Sequence, residues 1–183
     1  MAREKMTPLF GMMKNLFQLA FVATFLGAVL QFTLSASAAT IVAGTYGDWS
    51  LHINESASSK ICFAAAEPKE KLPQGSNRAT TAFYVSTWPR QGVKGEVSVK
   101  LGYPIKSQSD VTVLVGKDEF KLFSRDERAF VSDPTQELKL IETMKRGSNL
   151  VVKAQSERGT ATTDTYSLAG FAQAMQELAK TCP

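Results

Sequence analysis

The 183-residue sequence has only one histidine, His52, and two cysteines, Cys62 and Cys182. One imidazole and two distant thiols cannot assemble the four-ligand set of a zinc site. Asp110, Asp118, Asp126, Asp133 and Asp164 are scattered and lack the spacing of a calcium loop. There is no glycine-rich loop of the kind that cradles phosphate, and no Gly-x-Ser-x-Gly elbow. A Ser-His-Asp hydrolase would have to use His52, which lies between Leu51 and Ile53 on the polar side of a strand-like run. Hydrolysis through His52 is therefore the enzymatic alternative to a non-catalytic reading. No internal repeat, low-complexity tract or long run of one charge occurs. The sequence thus offers no catalytic residues, no metal site and no cofactor site beyond that alternative.

What is present begins with an export signal. Arg3, Lys5 and Lys14 form a positive n-region, and Leu19 to Leu30 is a mostly apolar run of twelve residues. Ala36-Ser37-Ala38 is a small-x-small site, so residues 1–38 read as a signal peptide cleaved after Ala38. The n-region is long, and Met12 and Met13 are alternative starts. The competing reading is an uncleaved inner-membrane tether, since Leu16 to Leu34 approaches the roughly 20 residues a bilayer span needs. Gln18, Gln31 and the Ala-x-Ala site favour cleavage. The mature chain, 39–183, would hold 145 residues, enough for one domain with a proper core. The leader carries three positive charges and one negative, so the formal charge falls from +4 to +2 on its removal. A charge of +2 makes no case for nucleic acid, and contact with a membrane is expected only through the N-terminal segment before cleavage.

Two cysteines in an exported chain suggest one disulfide, Cys62 to Cys182, rather than two free thiols. Cys62 lies in the strand-like run Lys60 to Ala66. Cys182 ends an amphipathic C-terminal helix whose expected inward stripe is Leu168, Phe171, Ala172, Met175, Leu178, Ala179 and Cys182. Ser167 is its expected N-cap.

Between the two cysteines the pattern is that of short strands. Trp49 to Ile53, Glu96 to Leu101 and Asp110 to Val115 alternate apolar and polar residues. Ala79 to Trp88 is β-rich, and Ala129 to Val131 adds a short strand. Gly116-Lys117-Asp118 joins Asp110–Val115 to Glu119–Phe123 as the clearest hairpin. Asp133-Pro134-Thr135-Gln136 opens an internal helix with a cap, a proline at the first position and a capping-box pattern. Leu138, Ile141 and Met144 form its expected stripe, and Gly147 stops it. Leu150 to Gln155 and Thr160 to Tyr166 are the last strands, joined by a turn at Ser156-Glu157-Arg158-Gly159. Ala39 to Asp48 reads as a lead-in, and Glu67 to Arg78 as a long solvated loop. Trp49, Trp88 and Tyr103 are candidates for a recognition patch, although such residues more often pack in a core or at its rim. Eight or nine short strands with two helices favour an antiparallel sandwich over a parallel α/β sheet.

Several pieces, taken together and in order, resemble the invasion-associated locus B family, exported proteins of alphaproteobacteria. They are Tyr46-Gly47-Asp48-Trp49, Ile61-Cys62-Phe63, Phe83-Tyr84-Val85-Ser86, Val97-Ser98-Val99 with Leu101-Gly102-Tyr103-Pro104, Met144-Lys145-Arg146-Gly147, Arg158-Gly159-Thr160, Asp164 to Phe171, and Cys182. Trp88-Pro89 departs from the pattern, which would have a basic residue before the proline. The resemblance implies a mainly β, immunoglobulin-like sandwich at 39–183 and a periplasmic or cell-surface location; the leading expectation is non-enzymatic binding of an unidentified envelope or host protein. The family's namesake is linked to invasion of red blood cells. No catalytic residues are carried over, and a general envelope role transfers more readily than invasion.

Overall fold

A computed structural model describes residues 39–76 and 78–183. The expected leader, 1–38, lies outside them. Among the described residues no helix is long and apolar enough to cross a membrane.

Eleven antiparallel strands carry the domain: β1 (Thr40–Tyr46), β2 (Trp49–Glu55), β3 (Lys60–Ala66), β4 (Glu70–Leu72), β5 (Ala82–Trp88), β6 (Val93–Lys100), β7 (Val111–Val115), β8 (Asp118–Arg125), β9 (Arg128–Phe130), β10 (Asn149–Gln155) and β11 (Ala161–Ser167). A 3-10 turn follows β5 at Pro89–Gln91, and the helices are α1 (Pro134–Arg146) and α2 (Phe171–Thr181). The strand order is β1-β2-β3-β5-β6-β9-β8-β7-β10-β11-β4. β8 joins two halves. Its Asp118–Leu122 stretch pairs with β7 in a hairpin, and its Phe123–Arg125 stretch pairs with β9. The mainly β, antiparallel architecture with an internal and a C-terminal helix is therefore as expected, with its two halves drawn from one continuous hydrogen-bonded order.

Alternation explains which face each strand buries. Trp49 and Leu51, Cys62 and Ala64, Phe83 and Val85, Val97 and Val99 point inward from one half. Val111, Val113, Leu150, Val152 and Tyr166 point inward from the other, and both sets meet in one core. Trp49 sits within it, fully buried, with Phe171 at 4.6 Å and Phe83 edge-on at 6.3 Å. Its indole N–H donates to the Ser167 carbonyl at 3.0 Å. Burying a large apolar side chain of this kind contributes roughly 1.5–3 kcal/mol.

Several details differ from expectation. β1 replaces the lead-in at Ala39–Asp48. It is an edge strand exposed along most of its length, so it shows no period-two signal. β4 lies inside the stretch read as a solvated loop and pairs with β11 over only three residues. In α1 the cap is Asp133, whose carboxylate accepts from the Thr135 N–H at 2.7 Å. The inward residues are Leu140, Ile141 and Met144, while Leu138 is 62% exposed. The capping-box role expected of Gln136 is not what fixes this end; instead Glu137 accepts from the Val97 N–H at 2.7 Å and ties α1 to β6.

The C-terminal helix begins later than its apolar spacing suggests. Ser167 closes β11, and its hydroxyl accepts from the Ala169 N–H at 3.2 Å. Gly170, at φ 86°, is the N-cap. A side chain at Gly170 would collide with the Tyr46 carbonyl, and one at Gly47 would lie 2.5 Å from the Ala169 carbonyl oxygen. The Asp48 N–H donates to that same carbonyl at 3.0 Å. The two chain segments therefore approach through glycine, and the tight turn resets the helical count. Ala174 is buried in consequence, and Ala179 faces solvent.

Cys62 and Cys182 are joined by a disulfide, with Cα atoms 6.3 Å apart, inside the range such a bridge requires. Leu51 and Leu178 complete a small buried cluster around it. The end of α2 is thereby tied to β3.

Candidate functional site

The inward residues of β2, β3, β5, β6 and β9 leave their neighbours on the opposite face. Cross-strand register lines these up: Val42 opposite His52, His52 opposite Phe63, Tyr84 opposite Ser98, and Ser98 opposite Phe130. Phe63 is opposite Ser86, and Ser86 is opposite Glu96. The result is an aromatic row crossing the outer surface of this half of the sheet.

Its packing is specific. The His52 and Phe63 rings stack with centroids 4.8 Å apart and planes 7° from parallel. Phe63 meets Tyr84 edge-on at 5.9 Å, and the Arg128 guanidinium lies 5.1 Å from the Tyr84 centroid. Phe130 and Phe123 extend the row, and Phe123 is 48% exposed. Two hollows share Phe63 and Tyr84. One, of about 340 Å³, is also lined by Trp88, Glu96, Arg128 and Phe130. The other, of about 500 Å³, reaches Asp48, Ser50, His52, Glu67 and Lys69.

Several of the charges in these hollows are partly desolvated or paired. Burial holds His52 below the ordinary imidazole range, which favours its neutral form near neutral pH. Burial pushes the Glu96 carboxyl up, and Arg128 opposes that shift. Asp48 is held below the usual carboxylate range, chiefly by its bond to Lys69 at 2.5 Å. Rings in contact with one another, with charged and polar groups at their margins, are the composition of a protein-binding surface.

The sequence-predicted residues are distributed unevenly over this face. His52 is on it, with its Nε2 hydrogen-bonded to the Ser50 hydroxyl at 2.8 Å. Asp48, the nearby carboxylate, is engaged with Lys69. Trp88 lines the smaller hollow, whereas Trp49 lies under the larger one as a fully buried member of the core. Tyr103 lies elsewhere, so the three aromatic candidates do not form one patch. The row of Phe63, Tyr84 and Phe130 was not recognised in the sequence. The available signal was the large outward residue at alternate positions of β3, β5 and β9.

Tyr103 borders a third hollow, of about 520 Å³, with Arg78, Glu127, Glu157 and Arg158. Beneath it Arg78 forms a two-pronged pair with Asp164, at 3.0 and 2.5 Å. The two side chains are 4% and 0% exposed. The Arg78 guanidinium also lies 5.8 Å from the Tyr103 centroid, and the Tyr103 and Thr162 hydroxyls are hydrogen-bonded at 2.5 Å. This overturns the solvated placement of Arg78. Asp164 follows the inward parity of Thr162 and Tyr166, and a carboxylate at such a position requires a buried partner. The Arg158-Gly159 turn joins β10 to β11 as expected, with the Gly159 N–H donating to the Ser156 carbonyl at 2.8 Å.

Taken together these features define an antiparallel β domain, stapled to its own C-terminal helix, that presents an aromatic outer face. A family model described as Invasion associated locus B (IalB) protein matches residues 49–179, from β2 into α2. The chain belongs to that family. Comparison with curated proteins gave no match.

Proposed function

We propose that this protein is exported by its N-terminal segment to the periplasm or cell surface and acts there, without catalysis, by binding a protein of the envelope or of a host cell. The observation that carries this reading is the aromatic outer face, where Phe63, Tyr84, Trp88 and Phe130 surround concave ground. Protein interfaces draw their energy from a few such rings and arginines, set in hollows and ringed by polar groups. The sheet beneath is held by the core and the disulfide, so the face is pre-organised and binding costs little ordering.

Export is tested by isolating the protein from envelope fractions and measuring its intact mass. The expected species begins at Ala39; a full-length species in the membrane fraction would establish the tether instead. Partner binding is tested by placing a photo-crosslinking residue at Tyr84 and, separately, at the exposed Leu138 of α1. Adducts at 84 and none at 138 are expected, while equal adducts at both would contradict a role for this face. The hydrolytic alternative draws on the 2.8 Å bond between Ser50 and His52. Substituting Ser50→Ala and His52→Ala without loss of phenotype in a complemented knockout would remove it.

A further inference from the structure

We propose that β1 is a self-association edge, through which two copies of this chain pair antiparallel about a two-fold axis. β1 ends the strand order and, among the described residues, pairs only with β2. Its Thr-Ile-Val-Ala-Gly-Thr-Tyr sequence contains no charge and no proline. Natural edge strands are normally blunted by such residues, by extreme shortness or by a bulge, because a free row of backbone N–H and C=O groups templates another strand; in β1 the only such feature is the register shift after Val42, which leaves Thr40–Val42 regular. The opposite edge shows what blunting looks like. β4 has three residues, two of them the charged Glu70 and Lys71, and Pro73 follows directly.

The contrast between the edges decides the mode of assembly. Pairing of β1 with β4 of a neighbour would repeat without closing and build a filament. A guarded β4 disfavours that. Pairing of β1 with its own copy closes after two chains. Because β1 is uncharged, antiparallel self-pairing sets no like charges against each other across the axis.

The exposed side chains fit the same occupant. Ile41 is 57% exposed and Val42 63% exposed. Ile41 is in register with Ile53, which adjoins the cluster around the disulfide. Val42 is in register with His52 on the outer face. A second β1 would cover both β-branched side chains while its backbone satisfied the open edge. The register slips between Val42 and Gly44, so the regular stretch Thr40–Val42 is the natural centre of the pairing. A single strand pair buries less than the roughly 1,600 Å² of a standard interface, so association is weak and concentration-dependent.

The test is sedimentation equilibrium of the protein as isolated from the envelope, from dilute to concentrated solution. The expected mass rises from one chain to two and stops. Ile41→Lys and Val42→Lys, each placing like charges across the axis, are expected to hold the mass at one chain throughout, with an unchanged thermal melt. Four results would overturn the proposal: a single-chain mass at every concentration, a mass that climbs beyond two chains, a dimer that survives both lysine substitutions, or a dimer lost only when the aromatic face is altered.

Discussion

Breaking the ion pair between Arg78 and Asp164 should be the most damaging polar change in this domain. Both guanidinium Nη atoms hold both carboxylate oxygens, and the side chains are 4% and 0% exposed. Asp164→Asn or Arg78→Met removes one charge and strands the other away from water. Loss of one member of a buried pair costs about 3–5 kcal/mol. For a domain of this size that corresponds to a fall of roughly 10–15 °C in Tm. The pair as a whole is a different matter, because replacing both members by apolar residues of similar volume strands no charge. Arg78→Met combined with Asp164→Leu should therefore lose far less than the sum of the single changes. The assay is a double-mutant cycle by thermal and urea unfolding, followed by circular dichroism. Single variants within about 1 kcal/mol of the parent, or a double variant equal to the sum, would refute the reasoning.

Two further predictions concern the disulfide and the histidine. The bridge spans a separation of 120 residues, for which the chain-entropy treatment gives at most about 5 kcal/mol of stabilisation. Cys182→Ser is expected to lower Tm and to loosen α2 first, read as faster amide exchange at Leu178 to Thr181, whereas two titratable thiols in the unreduced protein would contradict the bridge. His52, whose imidazole is held below about 6.5 by burial, is the only histidine, so one ring-proton resonance reports it. Because the folded state favours the neutral ring, its contribution to stability is present above pH 6.5 and is lost as pH falls below that value toward the depressed pKa. Titration at or above the ordinary value would show that the ring is not desolvated.

How much was legible in the sequence depended on whether a residue's partner was near in sequence or implied by alternation. β3 at Lys60–Ala66 and the β7–β8 hairpin follow from period-two patterns and turn residues alone. The start of α1 follows from Asp133 and Pro134, because capping is a local interaction. β1 and β4 were invisible for opposite reasons, one being exposed on both sides and the other too short to show a period. The α1 stripe differs from expectation at Leu138 because a narrow apolar pattern fits two adjacent helix faces, and only packing against β6, β8 and α2 chooses Leu140. Arg78 and Asp164, 86 positions apart, carry no local signal of each other. The same holds for the aromatic row, whose members come from strands that become neighbours only after β4 leaves the sequence order and β9 inserts beside β6. The stretches that carry the resemblance have structural roles at several points, notably Gly47 against Ala169 and Gly147 against Val115 and Leu168.

Phe63 and Tyr84 are the rings that both hollows of the outer face share. The most direct measurement is the affinity of a crosslink-identified partner for the parent protein and for the Phe63→Ser/Tyr84→Ser variant, with an unchanged melt confirming the fold. Rings at the centre of an interface contribute about 2 kcal/mol or more on truncation, so affinity should fall at least about thirtyfold. An affinity unchanged by removal of both rings would contradict the claim.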